Sequence, residues 1–370
     1  MTLPRQIPGL DALKGLACVL IVWHHLAFYG PMSDVVHPYA PALMDWLYDY
    51  GRMAVQVFLV VSGFLAAASL APQGVAVFES PGRLILRRYW RLVKPYFVAL
   101  AVSVLVAALV RPWFAHHSVP GAPTVHQLLA HVLLLQDLLG QDALSAGVWY
   151  VAIDFQLYAM AVLIFAFARR FQFQPNHGDA THTTSVSAPL GVSLILLAAL
   201  ASLLFFNRLP AFDITALYFF GSYACGMLAF WASSRLGARR GFWLVTLAVM
   251  GGLALALDFR GRLVVALVTA FSLIGLAGLQ PHARPVRWLQ QRRLVQLGHI
   301  SYSVFLIHFP VCLLVNAVVG YFWPTQFLAN VAGLWVAFML SLLVGWALYQ
   351  WVELRPTPFL PRWLSRYYSG

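Results

Sequence analysis

"LDALKGLACVLIVWHH", residues 10–25, sets one acid, one lysine and two adjacent histidines in a stretch that is otherwise apolar. Continued through Leu26–Gly30, it reaches the roughly 20-residue length that crosses a bilayer. Its basic start resembles a secretory leader. However, Lys14 and the histidine pair interrupt the apolar core, and no small-residue cleavage site follows. The stretch is therefore read as a retained first span, and everything else about the chain depends on that reading.

Runs of the same kind recur throughout the 370 residues, of which 61% are apolar and only 10% charged. Apolar runs and polar breaks predict an all-α polytopic membrane protein with ten spans, at 11–30, 53–70, 92–111, 148–168, 190–206, 215–232, 242–257, 262–279, 300–320 and 328–352. The formal charge of +12 raises the question of nucleic acid, but the basic residues sit in short clusters between apolar runs, so no nucleic-acid partner is expected. With both termini cytoplasmic, 19 of the 24 basic residues fall on the inside and Arg52, Arg111, Arg208, Arg260 and Arg262 fall outside, as the positive-inside rule requires. Cys18, Cys225 and Cys312 each lie in a predicted span, so neither a disulfide framework nor a metal spacing is read.

Three connecting segments are notable. Residues 31–52 are acidic and aromatic, with Asp34, Asp45, Trp46, Tyr48 and Asp49 available to stack on and hydrogen-bond a sugar, or to form an ordinary interfacial belt. Residues 112–147 contain the amphipathic "HQLLAHVLLLQDLLG" (126–140), expected along the outer interface or re-entering the protein. "FQPNHGDATHTTSVSAP" (173–189) reads as a flexible linker with solvated histidines. No internal repeat and no soluble domain is evident, so residues 1–370 are taken as one membrane-embedded domain.

Ionisable groups at membrane depth are costly and usually face a cavity or a partner. Lys14 and His25, eleven residues apart, share a helical face, and Asp11 lies near it. His24 is rotated away from that face. In "VWYVAIDFQLYAM" (148–160), Asp154 and Tyr158 share a face, and Asp154 falls at a depth similar to that of His25. A carboxylate and an imidazole at one depth can form an acid/base pair, although a packing salt bridge gives the same pattern. His308 falls near mid-depth in the ninth span, and Glu353 at the inner end of the tenth. "RLILRRYWRLVKPY" (83–96) gathers cations before the third span, with Arg88 and Arg91 on one face in a form that suits phosphates as well as lipid headgroups.

Taken together, these motifs resemble the acyltransferase 3 family over nearly the whole chain. Its members are multispan membrane enzymes that move acyl groups, commonly acetyl, onto extracytoplasmic glycans and other hydroxyl acceptors. Lys14 and His25 match the family's basic residue and histidine separated by ten residues, with lysine in place of the more common arginine. "FLVVSGFLAAASL" (58–70) is similar to its second-span motif through Ser62, Gly63 and Phe64. Arg88 and Arg91 match its arginine motif, which the resemblance directs toward acyl-CoA, and "ISYSVFLIHFP" (300–310) and "YQWVELRP" (349–356) resemble its closing motifs. Where the family has two glutamates, this chain has Asp154 and Phe155.

The resemblance implies transfer of an acyl group, acetyl in keeping with the family's habit, from cytosolic acetyl-CoA to a glycan or lipid-linked glycan. The setting would be a bacterial inner membrane, alongside polysaccharide assembly machinery, with no resident cofactor. His25 would act as general base or acyl carrier, with Asp154 or another polar group orienting its ring. The rival readings are a carrier or flippase with an intramembrane His/Asp relay, which would show repeats and broken helices, and a membrane scaffold.

Overall fold

The computed structural model describes residues 9–171, 190–233, 238–280 and 283–355. The linker at 173–189, Arg5, Arg235 and the basic residues beyond Arg355 lie outside these. Among the described residues there is no strand. Ten helical segments are long and apolar enough to cross a membrane: Leu10–Phe28, Pro41–Leu70, Pro81–Val110, Val148–Arg170, Leu190–Arg208, Ala216–Ser233, Arg240–Leu257, Gly261–Gly278, Arg292–Phe322 and Phe327–Glu353. The protein is thus an integral, multipass membrane protein, and these are its first to tenth spans.

Most spans match expectation to within two residues at each end, and the second, third and ninth are markedly longer because helix continues past the apolar core. The third begins at Pro81 rather than 92. Its basic first turns alternate cations with Leu84, Leu86 and Trp90, a pattern that a helix tolerates outside the hydrocarbon. The ninth is a single 31-residue helix, Arg292–Phe322. The 31–52 segment is largely helical, with Met32–Val36 and Pro41–Tyr50 leading through a 3₁₀ turn into Val55–Leu70. The amphipathic stretch is helical only over Val125–Val132, where Thr124 and Gln127 form a capping box. It stops where Leu134 adopts φ 55°, a left-handed conformation that ends a helix.

The chain forms two compact units. One consists of Gln56–Arg88 and Ile153–Pro281. Its centre is the sixth span, 89% buried, packed on by the fifth, seventh and eighth. That span is dense in small residues (Gly221, Ser222, Ala224, Gly226, Ala229, Ala232), which let neighbouring helices approach closely. A Cβ at Gly226 would run into the Val60 carbonyl, and one at Gly63 into the Tyr223 carbonyl, so these two helices touch backbone to backbone. Arg260 is buried at the helix ends and donates to Asn207 Oδ1 (2.7 Å) and to the carbonyls of Leu203 (3.1 Å) and Ala254 (3.0 Å) in the last turns of two helices.

The other unit consists of Pro8–Val55, Tyr89–Ala152 and His282–Gly370. Its centre is the ninth span, 78% buried, packed against the first and tenth. Gly15 and Gly298 bring the first and ninth helices together, since a Cβ at Gly298 would strike the Asp11 carbonyl. The 112–147 segment is fastened to the third span by Tyr89 Oη donating to Val132 O (2.7 Å) and Ser103 Oγ donating to Leu144 O (2.9 Å).

Candidate functional site

In the unit that carries the first and ninth spans, polar groups gather at three levels along Leu10–Phe28. At the lower level Lys14 Nζ pairs with Asp11 Oδ1 at 2.8 Å, and His299 Nε2 lies 3.4 Å from Asp11 Oδ2. Close by, the tenth span ends in a π-helical turn, Tyr349–Glu353. Such turns displace side chains from the regular helical face and are frequent at functional sites. Glu353 Oε2 accepts from Ser303 Oγ at 2.6 Å, and Lys94 Nζ donates to the Glu353 carbonyl at 3.2 Å. The charges of Arg91, Lys14 and Lys94 all bear on this carboxylate, so three cations from two helices act on one acid.

Eleven residues along the first helix from Lys14, or about 16 Å at ~1.5 Å per residue, stands His25. Its Nδ1 meets His308 Nε2 at 2.6 Å. The ring planes are 10° from parallel and the centroids 4.7 Å apart. Since the centroids are separated by nearly two ring radii more than the nitrogens, the rings meet edge to edge in one plane rather than face to face. His308 is fully buried, and its Nδ1 lies 2.7 Å from the carbonyl of Phe305. A carbonyl only accepts, so His308 carries its proton on Nδ1 and offers the Nε2 lone pair to His25. His25 must then carry its own proton on Nδ1, which leaves a lone pair on Nε2. That nitrogen has no hydrogen-bond partner among the described residues. His24 is buried and turned elsewhere, its Nδ1 2.9 Å from Leu47 O, which ties the Pro41–Tyr50 helix to the first span. It is a packing residue, as its rotation from the shared face implied.

Past His25, at the end of the first helix, lies a cavity of about 390 Å³ lined by Ala27, Phe28, Ser33, Asp34, His37, Met44, Asp45 and Tyr48. His37 Nε2 lies 2.7 Å from Asp45 Oδ1.

The unit built on the sixth span holds a separate cluster. Asp154, almost fully buried, pairs with Arg88 Nη2 through Oδ2 at 2.5 Å and accepts from Ser62 Oγ through Oδ1. Arg88 Nη2 also donates to Ser62 Oγ at 3.1 Å, and its guanidinium lies over the Tyr158 ring at 5.2 Å. The triangle is closed, since the serine hydroxyl donates to the carboxylate while accepting from the arginine. The bonds from Arg88 to Asp154 and Ser62 both come from Nη2, and its Nε is buried without a partner. Tyr223, fully buried in the sixth span, also keeps its hydroxyl without a partner, and its ring stands within electrostatic reach of Asp154 and Arg88.

Of the sequence-derived candidates, the structure thus brings together His25 with His308, Lys14 with Asp11, Arg91 with Glu353, and Arg88 with Asp154, Ser62 and Tyr158. The partner that fixes the His25 ring is another histidine. Contributors missed include His299, Ser303, Tyr223, Ser33 and His37. Ser303 carried a weak signal, five residues from His308 in a polar-flanked motif. The others carried none beyond being polar near or within an apolar run.

A half-buried histidine with a free lone pair, cations from two helices below it and a polar cavity beyond it make up the candidate site. The family model for the acyltransferase 3 domain matches residues 7–350, and the chain belongs to that family. A curated protein, the regulator of hypoxia-inducible factor 1 of Caenorhabditis elegans, is 29% identical over 167 residues, which are 44% of this chain and 31% of that protein. The chain therefore matches about a third of the length of that relative. No solved structure matches it.

Proposed function

We propose that the protein transfers an acyl group, in the first instance acetyl, from cytosolic acetyl-CoA to a hydroxyl of an extracytoplasmic glycan or lipid-linked glycan, with His25 as general base. The observation that carries this reading is the bond order Phe305 O, His308, His25, which leaves a lone pair on His25 Nε2 and nothing to quench it. In the transfer, Nε2 takes the proton of the acceptor hydroxyl as its oxygen attacks the thioester carbonyl. The tetrahedral intermediate then collapses, the carbon–sulfur bond breaks, and the departing thiolate recovers the proton from the imidazolium. His308 holds the ring in the required tautomer and shares the positive charge that develops on it.

Lys14, Arg91 and Lys94 support a donor site for the phosphates of CoA, about 16 Å below His25 by helix rise. A pantetheine arm is suited to spanning that length. Arg88 is directed toward acyl-CoA by the family's arginine motif, with Asp154 as its positioning residue. With the termini cytoplasmic, the lower level faces the cytosol and the cavity beyond His25 faces outward, which suits a bacterial inner membrane enzyme that decorates an exopolysaccharide or surface glycan. Polysaccharide assembly proteins are natural partners for it.

The test is transfer of isotopically labelled acetyl from acetyl-CoA to extracytoplasmic glycan in membranes holding wild type, His25→Ala or Arg88→Ala at matched protein levels. Label in wild-type glycan and its loss in both variants is the expected result. Full transfer by His25→Ala removes the histidine from the reaction.

A further inference from the structure

Beyond His25 the first helix ends in a cavity whose walls suit one kind of ligand. We infer that the cavity bounded by Phe28, Ser33, Asp34, His37, Asp45 and Tyr48 is a subsite for a single uncharged glycosyl unit, the sugar whose hydroxyl receives the acyl group. This inference rests on the acyltransferase reading above and adds to it the place and chemistry of the acceptor.

Three observations carry it. The Phe28 and Tyr48 rings stack at 5.0 Å and 22°, and both are partly exposed, giving a flat apolar wall of the kind that receives the C–H face of a pyranose. Opposed to it are acceptors for hydroxyl protons. Asp45 uses Oδ1 on His37, which leaves Oδ2, and Asp34 adds a second carboxylate. Ser33 is 3% exposed, lines the cavity and has no partner for its hydroxyl. A buried hydroxyl without a partner is unfavourable, and a ligand in the adjoining cavity is a source of the missing bond once the side chain turns toward it.

Size and position agree. At about 390 Å³ the cavity is near the small end of the ~300–1,000 Å³ typical of ligand sites, which favours one sugar ring over a longer chain. Ala27 and Phe28 lie two and three residues past His25, a rise of only about 3–5 Å. The cavity thus begins within about one helical turn of His25 along the helix axis.

The full-length protein in lipid nanodiscs is applied to an array of uncharged bacterial oligosaccharides, as wild type, Tyr48→Ala, Asp45→Asn and His25→Ala. Binding by wild type and His25→Ala, with at least a tenfold loss in Tyr48→Ala and Asp45→Asn, is expected. Tyr48→Phe, which keeps the stacking ring, should bind as wild type and so controls for folding. Absence of wild-type binding, binding retained in both cavity variants, or displacement of glycans by tetramethylammonium alone overturns the subsite. The array does not involve transfer. Glycan binding without acetyl transfer therefore defeats the enzyme reading and leaves the subsite standing, and transfer that survives Tyr48→Ala and Asp45→Asn with an unchanged acceptor KM does the reverse.

Discussion

His25 and His308 are 283 residues apart in sequence and 2.6 Å apart in space, nitrogen to nitrogen, in nearly coplanar rings. The Phe305 carbonyl sets the proton on His308, and His308 in turn sets the proton on His25. Removing the base should reduce transfer by about 100-fold or more, the usual contribution of general base catalysis. His308→Ala should give a smaller loss of kcat at an unchanged KM for acetyl-CoA, because it frees the His25 ring without removing it. His308→Ala should also displace the pH–rate profile, since His25 loses the neighbour that shares its charge. A profile identical to wild type, with kcat intact, would make His308 a packing residue.

Asp154 and Arg88 make the second prediction. The carboxylate is 3% exposed and the guanidinium 21%, so Asp154→Ala leaves an uncompensated charge in the protein interior. Breaking such a pair from one side typically costs about 3–5 kcal/mol. The expected outcome is a marked fall in thermal stability of the detergent-solubilised protein, alongside any loss of transfer. Asp154→Ala combined with Arg88→Ala should recover part of that stability, because neither charge is then left alone. A stable Asp154→Ala that merely lacks activity would instead place the carboxylate in the chemistry.

The spans could be read from the sequence because bilayer length and apolarity are local properties. The ten apolar runs at 11–30 through 328–352 coincide with the ten helices, including the short gap between Leu257 and Gly261. The site was legible only where it ran along one helix, as for Lys14 and His25, whose eleven-residue spacing fixes a shared face. It was illegible wherever the partner came from elsewhere in the chain. Asp154 was expected at the depth of His25 as a possible partner, and its bonds instead go to Arg88 and Ser62, 66 and 92 residues away. Arg88 reads from the sequence as one of a row of cations before the third span, paired with Arg91 on one face and matched to the motif directed toward acyl-CoA. The helix starting at Pro81 instead carries it into a pairing that no periodicity encodes.

Gly63 provides a third test, of the packing that holds Ser62 in place. A Cβ there would collide with the Tyr223 carbonyl, which is backbone and cannot rotate away. Gly63→Ala should therefore separate the second and sixth helices and lower stability by about 1–3 kcal/mol, as overpacking usually does. Gly252 in the seventh span has open space at its Cβ, so Gly252→Ala should be neutral or slightly stabilising. Equal melting temperatures for the two variants would contradict the close approach.

Outside the spans, His131 makes the pH dependence of the 112–147 segment testable. Its ring is buried, with Nδ1 2.8 Å from Gln127 O and Nε2 accepting from the Leu144 amide at 3.2 Å. The second bond requires a neutral imidazole. Burial lowers its pKa from the ordinary 6.5, opposed in part by the Gln127 carbonyl. The folded form therefore binds the proton less readily than the unfolded one, and stability rises with pH wherever the unfolded form is the more protonated. The contribution is complete above about pH 6.5 and declines as the pH falls below it. Hydrogen exchange at the Leu144 amide, with intrinsic rates divided out, should be slow at about pH 7.5 and accelerate toward about pH 5, as protonation removes its acceptor. His131→Gln, whose side-chain carbonyl accepts at any pH, should abolish the acceleration. Protection that stays constant across that range in the wild type would show that His131 does not hold the segment.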